Sequence, residues 1–194
     1  MIYNHTSEQL YSTLFSSEFL ASFSAQWLKP TLLPKGKILL EIGEVSNKLY
    51  LVKKGVIRAF YLRNEEDITS WLVANGSIAC LTDSFLQQSP SEMGLETLEN
   101  TWAFAISYDQ YKYIQQHDIT TAKLVISLYE TFLIDTQKGM NLFKYSSVDE
   151  RISRYLNDPK SLFRRIPDRY IATYLGTTES TFCKCLKRVN RSKT

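Results

Sequence analysis

Lys184, Lys187, Arg188 and Arg191 fall at three- and four-residue intervals near the end of a 194-residue chain, so a helix would gather them on one face. Ser180, Thr181 and Cys183 join them there. Phe182, Cys185, Leu186 and Val189 recur at i, i+3, i+4 and i+7 and form the opposite, inward stripe. Cations and small hydroxyls on one side of a helix are the groups that contact phosphates and base edges of a duplex.

A helix can do this only if something positions it. Pro167-Asp168 predicts the start of a short preceding helix, because proline's missing N–H is not needed in a first turn. Ile171, Ala172 and Leu175 are its inner face, and small Ala172 permits close approach of the next helix. Gly176 supplies the left-handed residue that ends it. Thr178 is an N-cap for the next helix, with Glu179 in its first turn. Two helices joined so tightly satisfy the helix-turn-helix pattern, with a plain helical hairpin as the alternative.

Charge points the same way. Residues 1–143 carry 11 Lys/Arg and 15 Asp/Glu, a net of −4, while residues 144–194 carry 12 and 5, a net of +7. A basic C-terminal quarter on an acidic body implies an anionic partner for that end, or a merely solvated basic surface.

The body of the chain changes pattern twice. Residues 1–30 show Leu10, Leu14, Phe15, Phe19, Leu20, Phe23 and Trp27 near a helical period. From Lys35 come short runs rich in Ile, Val, Leu and aromatics, punctuated by Gly36, Gly43, Gly55 and Gly76 and by the charged turn from Arg63 to Asp67. These predict an antiparallel sandwich or barrel, with Gly55 as a hairpin turn. After Tyr108 a helical pattern runs for about 35 residues. Val125, Tyr129, Phe132, Thr136, Gly139 and Phe143 follow 4-3-4-3-4 spacing, a heptad seam that predicts a homodimer. Ala122, Ile126, Leu133 and Met140 form a second apolar stripe beside it. One stripe could lie on the barrel and the other on a twin helix. Ser147 and Glu150 have capping-box spacing and start another helix, which Asn157-Asp-Pro159 ends.

Other functions find little support. The three cysteines, Cys80, Cys183 and Cys185, have no paired metal spacing, and on a helix the last two point about 200° apart. Only His5 and His117 could join a metal set, so no metal site is expected, nor an enzyme built on a barrel of the cupin kind. The polar start MIYNHTSEQL has no apolar leader, and no apolar run is long enough to span a bilayer, which predicts a cytoplasmic protein without a membrane partner.

The stretch IATYLGTTESTFCKCLKRV resembles the helix-turn-helix of the Crp/Fnr family of bacterial transcription regulators, and KGKILLEIGEVSNKLYLVKKGVIRAFYL resembles the start of that family's cyclic-nucleotide-binding-type roll. The order of roll, long helix and basic module matches too, so the resemblance covers nearly the whole chain. It implies an α+β protein: an N-terminal antiparallel β-roll (a cyclic-nucleotide-binding-like jelly roll) with flanking helices over 1–110, a long dimerisation helix over 111–145, and a C-terminal helix-turn-helix domain over 146–194. It implies a transcription regulator, not an enzyme. The implied partners are double-stranded DNA, a second copy of the chain, RNA polymerase and an unknown small-molecule effector. Arg169, Thr178, Ser180, Thr181, Cys183, Lys184, Lys187 and Arg188 would be the DNA-binding residues.

Two departures from the family stand out. Members that bind cyclic nucleotides carry a Gly-Glu pair and then an Arg that holds the cyclic phosphate. Aligned on Pro90 and Leu98-Glu99, the Arg position here is Ser91, followed by Glu92, and Asp83 is the nearest preceding acid. Losing a charge-assisted pair forfeits roughly 1.5–3 kcal/mol, so cyclic AMP is expected to bind weakly or not at all, and no cofactor is expected. In the reading helix, Cys183, Lys184 and Leu186 stand where relatives show Ser and two Arg, and Glu179 takes a Pro position. An alternative is therefore a sensor and protein-contact module whose helix-turn-helix no longer reads DNA. Too few residues follow Val189 for a two-stranded wing, so any wing must come before the reading helix, where Arg164, Arg165 and Arg169 would then contact backbone phosphates.

Overall fold

The computed structural model describes residues 30–191, except 118, 159, 160 and 163. The helix predicted over residues 1–30 lies outside the described residues, Pro30 excepted. Eight strands follow: β1 (Thr31–Leu33), β2 (Ile38–Leu40), β3 (Lys48–Lys54), β4 (Ile57–Arg63), β5 (Glu66–Val73), β6 (Ile78–Ala79), β7 (Gly94–Thr97) and β8 (Thr101–Ser107), with a short helix α1 (Thr82–Gln87) between β6 and β7. They make two four-stranded sheets, ordered β1-β8-β3-β6 and β2-β7-β4-β5, with every pairing antiparallel. Helices α2 (Tyr108–His117), α3 (Ile119–Tyr145), α4 (Val148–Asn157), α5 (Asp168–Tyr174) and α6 (Glu179–Arg191) complete the described residues.

Strand alternation sorts the apolar residues into separate cores. In β3, Tyr50 and Val52 point into the roll with Leu33, Leu40, Ile57, Val73 and Leu95. Their neighbours Leu49 and Leu51 point the other way, where Phe85, Phe104, Tyr111 and Ile114 cover them. A strand buried on both faces reads as a continuous apolar run, as LYLV does here. A third core lies at the far sheet. Val56, Leu72, Ala74 and Leu98 of the roll pack in one cluster with Ile152, Tyr155, Tyr170, Ile171, Leu175 and Phe182 of the C-terminal helices. The C-terminal module thus shares its core with the roll.

Gly55 is not a hairpin turn. Strands β3 and β4, which flank it, belong to different sheets, and β4 instead pairs with β5 and β7. Gly55 crosses between the layers with φ +128, and a Cβ there would sit 2.6 Å from the Thr101 Cα. Its N–H donates to Asn75 Oδ1 at 2.9 Å. The hairpin lies one strand later, where Asn64 and Glu65 take φ 51 and 65 between paired Arg63 and Glu66. Two consecutive left-handed residues match the twist of the flanking strands.

The long helix α3 turns its two stripes in a defined way. Tyr129, Phe132 and Thr136, named in the seam, are half-buried. Tyr129 packs on the helix-facing core, and Phe132 and Thr136 line a hollow beside β5. Phe143 is exposed at its edge, its ring against Arg151 and Tyr174. The side chain of Val125 is not among those described. Of the second stripe, Ile126, Leu133 and Met140 are 56%, 64% and 68% exposed, joined one heptad earlier by Ile119 at 74%, whereas Ala122 is partly buried against the helix-facing core. Both stripes have the same period, and the roll takes the one with the larger, partly polar side chains.

Candidate nucleic-acid interface

Helix α4 starts on the predicted capping box. Ser147 Oγ accepts from Glu150 N at 3.3 Å, and Ser147 N donates to Glu150 Oε2 at 2.7 Å. That hydrogen bond holds the Glu150 carboxyl below its ordinary pKa. Pro167 is the N-cap of α5, one residue outside the helix, and its carbonyl accepts from Tyr170 N at 3.1 Å.

The turn between α5 and α6 is a Schellman closure. Gly176 takes φ 71, Gly176 N donates to Thr173 O at 3.0 Å, and Thr177 N donates to Ala172 O at 2.9 Å. Thr178 then caps α6, its Oγ1 accepting from Thr181 N at 3.2 Å. Phe182 and Cys185 are fully buried against Ile171, Ala172 and Leu175, with Leu186 partly buried beside them. This fixes the rotation of α6. Ser180, Thr181, Lys184, Lys187 and Arg188 are exposed, and Cys183 is half-buried at the edge of the same face. The side chains of Val189 and Arg191 are not among those described.

Not every predicted contact residue is equally available. Arg188 on α6 reaches back to α4, with Nη2 at 2.5 Å from Asp149 Oδ2 and 3.1 Å from Cys185 Sγ. The Cys185 thiol also donates to Asp149 Oδ1 at 2.8 Å, and burial followed by the Asp149 contact pushes its pKa up. Arg169 lies outside this face, on the first turn of α5. It stacks on Tyr170 at 4.6 Å from the ring centroid and donates to the Tyr170 hydroxyl at 2.8 Å. Arg165 is paired with Glu99 of the roll at 2.6 Å. Among the described residues between α4 and α5 there is no strand.

Two arginines that sequence reasoning passed over hold the module in place. Arg151 is almost fully buried. Its Nε donates to Leu175 O at 3.0 Å and its Nη1 to Ser146 O at 2.7 Å, and the guanidinium lies 4.9 Å from the Phe143 ring centroid. It thereby joins the end of α3 to the turn. Arg58, 2% exposed on β4, donates to Glu96 at 2.8 Å and to both oxygens of Asp67 at 2.6 Å. Burial lowers its pKa, but those bonds outweigh burial and leave it raised. Beside it, Thr69 N donates to Thr173 Oγ1 of α5 at 3.1 Å. A buried charge in a strand was the available signal at Arg58: an Arg between Ile57 and Ala59 needs partners.

Asp83 and Glu92 are exposed, while Ser91 is buried and its Oγ accepts from Met93 N at 3.1 Å. Backbone bonds tie the same loop to the β2–β3 connection, Ser91 N to Glu44 O at 2.9 Å and Gly43 N to Ser91 O at 2.7 Å. Among the described residues no cluster of three His, Cys, Asp or Glu side chains could hold a metal ion, and no helix is long and apolar enough to cross a membrane.

No family profile and no curated protein matches the sequence. Solved structures do match the fold. The c-di-GMP responsive global regulator CLP of Xanthomonas campestris is 16% identical, with a TM-score of 0.69 over 90% of this chain and 91% of that one. FixK2 of Bradyrhizobium japonicum is 16% identical, with a TM-score of 0.70 over 86% of each chain. A transcriptional regulator of the crp/fnr family from Eubacterium rectale is 21% identical, with a TM-score of 0.65 over 98% of this chain and 85% of that one. The roll, the long helix and the capped helix pair together give this chain the Crp/Fnr fold.

Proposed function

We propose that the chain is a homodimeric, DNA-binding transcription regulator of the Crp/Fnr type. The observation that carries this reading is the face of α6: Ser180, Thr181, Lys184 and Lys187 are exposed on one side of a helix whose other side is locked by buried Phe182 and Cys185. Such a helix fits a major groove, where lysines contact phosphates or guanine edges and hydroxyls contact either. The outward stripe Ile119, Ile126, Leu133 and Met140 supports pairing with a second α3 as a two-stranded coiled coil. A dimer places two reading helices about 34 Å apart, one turn of duplex.

Cyclic AMP is not the effector in this reading. Ser91 is committed to its own loop, and the exposed carboxylate of Glu92 adjoins it, where an anionic phosphate would be repelled. RNA polymerase is a partner in the sense that any promoter-bound regulator meets it. A second reading, in which the helix pair contacts protein instead of DNA, draws on Arg188, whose charge is already matched by Asp149. Electrophoretic titration of a promoter fragment with wild type and Lys184→Ala decides between them. Loss of binding in the variant supports the first, and absence of binding in both supports the second.

A further inference from the structure

A hollow of about 780 Å³ opens where the three modules meet. Trp71 of β5, Phe132 and Phe143 of α3 and Tyr174 of α5 supply aromatic walls. Its volume is that of small-molecule sites, which are mainly apolar with a few placed polar groups. Two polar groups define what would fit. Thr136 lines the hollow, and its Oγ1 is buried with no hydrogen-bond partner. A helical threonine ordinarily bonds back one turn, as Thr131 does to Ser127 O at 2.9 Å. Thr136 Oγ1 makes no such bond. Lys144 lines the hollow and is exposed, and among the described side chains no acidic one lines it.

We propose that this hollow binds an apolar, aromatic-bodied organic anion of small-molecule size, with its ring system between Trp71 and Phe132, a polar atom on Thr136 and its negative charge on Lys144. An unsatisfied buried hydroxyl costs free energy that a bound polar atom recovers. The walls come from the roll, the long helix and the helix-turn-helix, so an occupant favours one placement of α5 against β5, and with it one placement of α6. Its role as an effector site rests on the regulator reading, whereas the binding itself does not.

The test is a fluorescence titration of the purified full chain with 8-anilinonaphthalene-1-sulfonate, itself an aromatic organic anion, with no DNA present. Saturable enhancement at one probe per chain is expected. Lys144→Gln should weaken it about two- to five-fold, the worth of a partly exposed ion pair. Thr136→Trp should weaken it by crowding the space beside Trp71 and Phe132, and Leu86→Ser, at an exposed apolar residue of α1 outside the lining, should leave it unchanged. Lys144 is exposed, so its variant remains decisive if Thr136→Trp does not fold. Failure to saturate, equal affinity in wild type and Lys144→Gln, or loss in Leu86→Ser overturns the proposal. Loss of DNA binding with probe binding intact would count against the regulator reading alone.

Discussion

The guanidinium carbon of Arg58, on the roll, lies 4.0 Å from the centroid of the Tyr170 ring, on the first helix of the helix-turn-helix. The contact fastens the reading module to the sheet that carries Asp67 and Glu96. Arg58 is buried, so removing it strands the partly buried Glu96 carboxylate. Arg58→Met should cost about 3 kcal/mol, as other broken buried pairs do. Urea unfolding measures the loss, and hydrogen exchange over residues 168–174 should rise with it. An unchanged midpoint would mean that the contact does not fasten the two parts.

Gly176 is held at φ 71, where an L side chain is strained. Gly176→Ala should destabilise the chain by about 1 kcal/mol, and Gly176→Asn by less, because asparagine tolerates that region. Thermal unfolding of the two variants gives the order directly.

The capping box gives a pH dependence with a definite sign. The Glu150 pKa is lowered in the folded chain, chiefly by the hydrogen bond from Ser147 N. Its contribution is therefore present above the unfolded carboxylate value of about 4.3 and is lost as pH falls through the folded value. The stability gap between wild type and Glu150→Ala should be widest near neutral pH and narrow in acid. A gap that widens in acid would contradict the assignment.

The three thiols should react in order. Burial pushes the Cys80 pKa up to about 12, and Cys185 is buried and bonded to Asp149. Cys183 is only half-buried. Thiolate chemistry needs both exposure and ionisation. Iodoacetamide labelling followed by peptide mass analysis should find Cys183 modified well before the other two.

These expectations also show where sequence was readable. The Ser147–Glu150 box, the Gly176 turn and the Phe182–Cys185 stripe involve residues within four positions of one another, so local pattern was enough. Gly55 was misassigned because sheet membership is decided by β7 and β8, some 40 residues away, and not by the strands on either side. The two stripes of α3 share one period, so only packing on the roll could say that Phe132 faces inward and Leu133 outward. Arg58 acts through Asp67, Glu96 and Tyr170, which no local spacing connects.

That turn of α3 makes its own prediction. Leu133→Asp should split the homodimer in sedimentation, because it places a charge on the outward stripe. Phe132→Ala should leave the dimer intact while enlarging the hollow. The opposite pattern would return the seam to the inward stripe.

Helix α6 is expected to read DNA. Fluorescence anisotropy of the purified chain on DNA from its own promoter, across a salt series, tests it most directly. Phosphate contacts make log affinity fall linearly with log salt. Preference over random DNA, a steep salt slope, and weaker binding by Lys184→Ala with the fold intact are expected. Binding that is absent, indifferent to salt or unchanged in Lys184→Ala would contradict it.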